Sequence, residues 1–194
     1  MPTTHLLYLH GFRSSPASTK ARVLAEWVPR HCPEVTWCCP QLEPSPRAAM
    51  RSVFAQVADW PVQSMAVIGS SLGGFYATVV AEKLGCKAVL LNPAIEPARD
   101  LLHYVGATKA WHSDEHFEFR AEFIDELRAM HPAAIREPER YHAVIAKGDE
   151  VLDWREMTAR YAGCQIELLE GGDHALSDFT SHLPAIASFL ELGA

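Results

Sequence analysis

Short apolar runs recur along this chain, each bounded by turn residues and followed by a longer stretch with helical spacing. Runs of that length are strands buried on both faces, and such strands are joined in parallel by crossover helices. The predicted strands are 5–9, 35–39, 65–69, 88–92, 142–146 and 165–169. Between the first two, Ser14, Ser15 and Pro16 open a helix in which Val23, Leu24, Trp27 and Val28 recur at three- and four-residue intervals. Further helices are predicted over 46–60, with Met50, Val53, Phe54 and Val57 inward, and over 72–84, ended by Gly85. Another runs over 154–161, and a last one over 184–192 uses Ile186, Phe189 and Leu190. The expected class is α/β: a mainly parallel sheet of about six strands flanked by helices.

The regular alternation breaks between Pro93 and Tyr141, where a simple crossover needs far fewer residues. A small cap-like insertion over roughly 96–140 is expected there. Inside it, Phe117, Phe119 and Phe123 fit a strand with one interruption, while Phe119, Phe123, Leu127 and Met130 fit a helix. With Trp111, these aromatics either line a compact apolar pocket or pack the insertion onto the core. A length of 194 residues without repeat, linker or low-complexity tract suits one domain, 1–194, with a continuous core.

Composition narrows the function. A chain with 48% hydrophobic and 21% charged residues folds as a globule. Its net charge of -7 and singly scattered Arg and Lys offer no stripe for phosphates, so nucleic acid is not an expected partner. The apolar run Leu6 to Leu9 is too short for a signal core or a membrane span, and a cytoplasmic protein is expected. Cys32, Cys38, Cys39, Cys86 and Cys164 have neither disulfide-framework nor zinc spacing and read as free thiols. His103, His112 and His116 likewise mark no metal site, so neither metal nor cofactor is expected.

Gly69-Ser70-Ser71-Leu72-Gly73 lies directly between a predicted strand and a predicted helix, the strand-turn-helix context that the G-x-S-x-G pattern requires. Such a sharp turn lifts the central Ser71 above the sheet, and small residues two before and two after it let strand and helix approach. Ser70 is left to packing or local hydrogen bonding. A serine hydroxyl needs an imidazole to take its proton, and the imidazole needs a carboxylate to fix its tautomer. On a sheet of this kind the chain order is serine, acid, histidine. His174, in Gly171-Gly172-Asp173-His174 after the last strand, is the predicted base. Turnover should rise as that imidazole loses its proton.

The acid lies in Gly148-Asp149-Glu150-Val151-Leu152-Asp153. Asp149 comes directly after the strand and is preferred; Asp153 has the position of a helix N-cap, and Glu150 is expected to point the other way. An acyl transfer also needs donors aimed at the developing oxyanion, and the amides of Leu72 and Phe12 are the candidates. His10, before Gly11 and Phe12, is expected to serve as hydrogen-bonded scaffold.

Through Tyr8-Leu9-His10-Gly11-Phe12 with Ser14-Ser15-Pro16, Gly69 to Thr78, Asn92-Pro93-Ala94, Gly148 to Asp153 and Glu170 to Ala175, the chain resembles the YqiA-type bacterial esterases. The resemblance spans nearly the whole chain, and the insertion departs from it most. It implies an α/β-hydrolase fold, a cytoplasmic location, no cofactor, and esterase activity on short acyl esters and thioesters. It carries the roles of nucleophile, acid and base onto Ser71, Asp149 and His174, and those of oxyanion donors onto the Phe12 and Leu72 amides. The competing expectation is a ligand-binding or interaction protein that keeps the scaffold without turnover. Within enzymes, thioesterase, peptidase and acyltransferase chemistry stay open.

Overall fold

The computed structural model describes residues 1–109 and 116–193. Trp111 and His112 lie outside the described residues. The chain opens with strand β1 (His5–Leu9), helix α1 (Thr19–His31), β2 (Thr36–Cys38), α2 (Pro46–Gln56), β3 (Met65–Ser70), α3 (Leu72–Leu84) and β4 (Lys87–Leu91). It closes with β7 (Tyr141–Ala146), α6 (Trp154–Arg160), β8 (Gln165–Leu169) and α7 (Leu183–Leu190). Between these halves lie α4 (Pro97–Asp100), an antiparallel hairpin β5 (Gly106–Lys109) and β6 (His116–Phe119), and α5 (Ala121–Met130).

The main sheet has the order β2-β1-β3-β4-β7-β8 and every pairing in it is parallel. Side chains alternate across it with the two-residue period of a strand. Leu7, Leu9, Met65 and Val67 join one cluster with residues of α2, α3, α5 and α6. Leu6, Tyr8, Ala66 and Ile68 join another with residues of α1 and α7. Cys38 and Cys39 pack against opposite clusters, and all five thiols are free. The order reverses between β1 and β3, so a crevice opens there at the carboxyl ends of the strands, where ligands enter open α/β sheets.

The ambiguous segment resolves into both of its readings: Phe119 ends the strand β6, Arg120 is extended, and α5 begins at Ala121. Phe119, Phe123, Ile124 and Leu127 then share the cluster of the sheet itself. On α5, Glu126 accepts from the Ser45 hydroxyl at 2.8 Å and from the Arg47 amide at 3.0 Å. A carboxylate thereby meets the positive end of α2. The predicted helix 46–60 stops at Gln56, four residues early, and a turn from Val57 to Trp60 leads into Pro61, whose ring disfavours helix before it. The last helix begins one residue earlier than predicted and follows a 3-10 turn over Phe179–His182. Among the described residues no helix is long and apolar enough to cross a membrane.

Candidate active site

Ser71 is the single residue in which the chain turns from β3 into α3, with φ 56° and ψ -121°. A residue with a side chain adopts that conformation at a cost of about 1–3 kcal/mol, and only where its surroundings fix it. Here they do. The Ser71 amide donates to the Leu91 carbonyl at 3.0 Å, and its carbonyl accepts from the amides of Gly74, Phe75 and Ala94 at 2.9, 3.3 and 3.0 Å. Gly73 allows the close crossing, since a Cβ on it would collide with the Leu9 carbonyl. The turn after β1 abuts the same serine: a Cβ on Gly11 would lie 3.3 Å from Ser71 Cβ and 3.8 Å from its Oγ. Phe12, next in that turn, lines the cavity beside Ser71. Leu72 is the first residue of α3, so its amide has no intrahelical acceptor.

His174 Nε2 lies 3.0 Å from Ser71 Oγ, and its Nδ1 lies 2.8 Å from Asp149 Oδ2. With Nδ1 donating to the carboxylate, Nε2 is left as the acceptor for the serine hydroxyl. The Asp149 side chain is 0% exposed. Its other oxygen accepts from the amides of Val151 and Leu152, both at 2.8 Å, so a carboxylate with no access to water has three donors. Asp153 does not reach the imidazole; it caps α6 by accepting from the Arg155 amide at 2.9 Å.

Glu150 corrects one expectation. It does not turn away: its Oε2 accepts from the backbone N–H of His174 at 3.0 Å. The segment after β7 is a turn rather than a continuing strand, so consecutive side chains need not alternate. Asn92 is the residue to which sequence reasoning gave no role. It is 0% exposed, and its Nδ2 donates to the carbonyls of Asp173 and His174 at 3.0 and 3.2 Å. Its Oδ1 accepts from the Ala146 amide at 2.8 Å, tying the loop of His174 to the end of β7 that leads into Asp149. The signals in the sequence were a polar residue closing an apolar run before a proline and the place of Asn92-Pro93-Ala94 among the motifs of the resemblance. His10 bonds backbone on two sides, through Nδ1 to the Gly11 carbonyl at 3.0 Å and through Nε2 to the Leu42 amide at 3.0 Å. That is the scaffold role expected of it.

A cavity of about 750 Å³ opens over Ser71 and His174. One side is apolar, with Phe12, Leu72, Leu101 and Tyr104; the other carries Tyr8, Ser18, Lys20 and Ser70. Of the insertion's aromatics whose side chains are described, Phe119 and Phe123 take the packing role. Phe119 meets the Phe12 ring edge-on at 5.1 Å, backing the cavity wall. His103 also lines the cavity, 4.0 Å from the Tyr104 ring. Burial pushes the Tyr8 hydroxyl pKa well above its ordinary value, with neighbouring Cys39 adding to the rise, so Tyr8 is a neutral hydrogen-bonding group. Among the described residues no group of three or more His, Cys, Asp or Glu side chains is set to hold a metal ion.

Comparison with known proteins agrees with this architecture. A UPF0227 protein of Yersinia pseudotuberculosis serotype O:1b is 22% identical over 191 residues, covering 97% of this chain and 99% of its own. The solved structure of mouse alpha/beta hydrolase domain-containing protein 10 superposes with a TM-score of 0.68 at 13% identity, over 98% of this chain and 92% of its own. Est1E of Butyrivibrio proteoclasticus, solved with ferulic acid bound, also gives 0.68 at 13% identity, over 98% and 87%. The profile described as "Uncharacterised protein family (UPF0227)" matches residues 5–191. The chain therefore belongs to the UPF0227 family, a YqiA-like family, and has the α/β-hydrolase fold.

Proposed function

We propose that this protein is a serine hydrolase that cleaves short-chain carboxylic esters, thioesters included, through an acyl-enzyme. The observation that carries the reading is the continuous chain from Ser71 Oγ to His174 Nε2 at 3.0 Å and from His174 Nδ1 to Asp149 at 2.8 Å. As Ser71 Oγ attacks the acyl carbon, its proton passes to His174. The carbonyl oxygen takes up the negative charge between the Leu72 and Phe12 amides. The bond to the leaving alkoxide or thiolate then breaks, and His174 returns the proton to it. Water next attacks the acyl-enzyme, gives its proton to His174, and the Ser71–acyl bond breaks with that proton returning to Oγ. The apolar wall of the cavity suits an acyl chain, and the bound ferulic acid of Est1E is a small carboxylic acid of the product class this reaction releases.

The test is covalent. A fluorophosphonate probe is expected to label Ser71 in the folded protein, and Ser71→Ala is expected to abolish labelling and lower kcat by about three to six orders of magnitude. A folded protein that stays unlabelled and turns over no ester or thioester would point to a ligand-binding protein on a hydrolase scaffold.

A further inference from the structure

The polar side of the cavity is built from elements on the α1 face of the sheet. Tyr8 on β1 and Ser70 at the end of β3 are both buried and both line it, with the Tyr8 hydroxyl beside those of Ser70 and Ser18. Ser18 is the N-cap residue of α1, yet its side chain makes no capping bond. Its Oγ is buried against the Tyr8 hydroxyl. The first turn of α1 contains no acidic residue, so the amides that open this 13-residue helix lack the anion that usually complements them.

Lys20 stands in that same turn. Its ammonium donates to the carbonyl of Ala175, the residue after His174, which leaves it two further N–H donors. Among the described residues no carboxylate is within ion-pairing distance of it. Burial draws its pKa down, and Asp173 restores part of the fall. Asp173 is itself engaged, accepting from the Ser177 amide at 2.9 Å and from the Ser177 hydroxyl at 2.5 Å. The other charges around the cavity are committed too: Arg99 pairs with Asp100 and Glu156, and Glu150 holds the His174 amide. What remains is a half-buried cation with donors to spare, a group of buried hydroxyls on Tyr8, Ser18 and Ser70, and the start of a helix, gathered at one end of the space over Ser71. Buried donors without acceptors are costly, and a compact oxyanion satisfies all three kinds at once.

We infer that the Ser18–Lys20 end of the cavity is an anion subsite, and that preferred substrates are esters carrying a carboxylate or phosphate group close to the scissile carbonyl. The inference rests on the hydrolase reading above and names the substrate class for the same site. The apolar wall takes one half of the ester and the α1 end takes the charged half.

Two matched ester pairs test it. In one the charge is on the acyl side: the 4-nitrophenyl monoester of adipic acid against its methyl-capped form. In the other it is on the alcohol side: 4-butanoyloxybenzoate against its methyl ester. In at least one pair kcat/KM is expected to be about tenfold higher for the charged member, a preference that Lys20→Gln removes and Lys20→Arg retains. Competitive inhibition by inorganic phosphate compared with acetate then separates a phosphate-sized site from a carboxylate site. If Lys20→Gln does not fold, Lys20→Met keeps the stem and carries the same comparison. Neutral members preferred in both pairs, or a charged preference that survives loss of the ammonium, would overturn the anion subsite while leaving the hydrolase reading intact. No turnover of any of the four esters, with no probe labelling, would overturn the hydrolase reading instead.

Discussion

Asp149 and Asp153 are four residues apart, and their surroundings give them different work. The first is enclosed, with three donors on its carboxylate; the second is 49% exposed at its side chain and caps a helix. Asp149→Asn leaves the shape nearly unchanged but presents an amide to His174, so the imidazole loses the acceptor that fixes its tautomer. Ester turnover is expected to fall by about 10³–10⁴, the scale of that substitution in Ser-His-Asp enzymes. Asp153→Asn keeps a good N-cap and is expected to change stability by only a few tenths of a kcal/mol, with turnover near wild type. Steady-state kinetics on both variants checks this, and the opposite pattern would exchange their roles. The meeting of Ser71 and His174 could be expected from the sequence because each follows a strand whose carboxyl end opens on the same edge of the sheet. The sequence hid Asn92 and Glu150, whose contacts run across 81 or 82 residues and across 24 residues to a loop whose path only the folded chain defines.

At the scale of elements, α3 follows Ser71 directly at one end and is anchored near the other by Glu82. That carboxylate accepts from Arg136 Nε at 2.8 Å and from the Tyr141 hydroxyl at 2.6 Å, joining α3 to the start of β7. Burial pushes the Glu82 carboxyl up, but the bonds from Arg136 and Tyr141 outweigh it and hold its pKa below the ordinary value. A carboxylate with a depressed folded pKa contributes its full stability above the unfolded pKa, near 4.3 for Glu, and loses it as pH falls through the folded value. Glu82→Gln is therefore expected to lower the urea midpoint at pH 7, and the gap between variant and wild type should narrow by pH 3. A gap as wide at pH 3 as at pH 7 would mean that the carboxylate charge is not what matters. The elements themselves were largely legible, because buried strands and amphipathic helices leave different periods. Their ends were less so: the α2 boundary depends on where the turn into Pro61 begins. Phe119 was ambiguous because it ends a strand two residues before a helix starts, and both periods pass through it.

Across the whole molecule, the two apolar layers lie on opposite faces of one sheet, and the buried residues described between β4 and β7 add to one of them. Periodicity cannot supply the spatial order of parallel strands, nor which face an insertion will cover; those follow from crossovers and packing that only the folded chain fixes. Phe119 shows how closely the insertion is joined to the site. It is 1% exposed, and its ring meets Phe12 at 5.1 Å and Phe123 at 5.5 Å, so it supports the turn that holds one proposed oxyanion donor. If the chain unfolds as one unit, every probe should report the same transition. Trp27 and Trp37 pack on the α1 face and Trp60 and Trp154 on the other, so fluorescence samples both layers. Urea titrations followed by fluorescence, far-ultraviolet circular dichroism and ester turnover are expected to share one midpoint. Phe119→Ala removes a buried ring at the junction and should shift all three together, by about 3–5 kcal/mol. A variant that lost turnover at low urea while fluorescence and dichroism kept the wild-type midpoint would show the insertion unfolding apart from the sheet, and the single shared core would have to be given up.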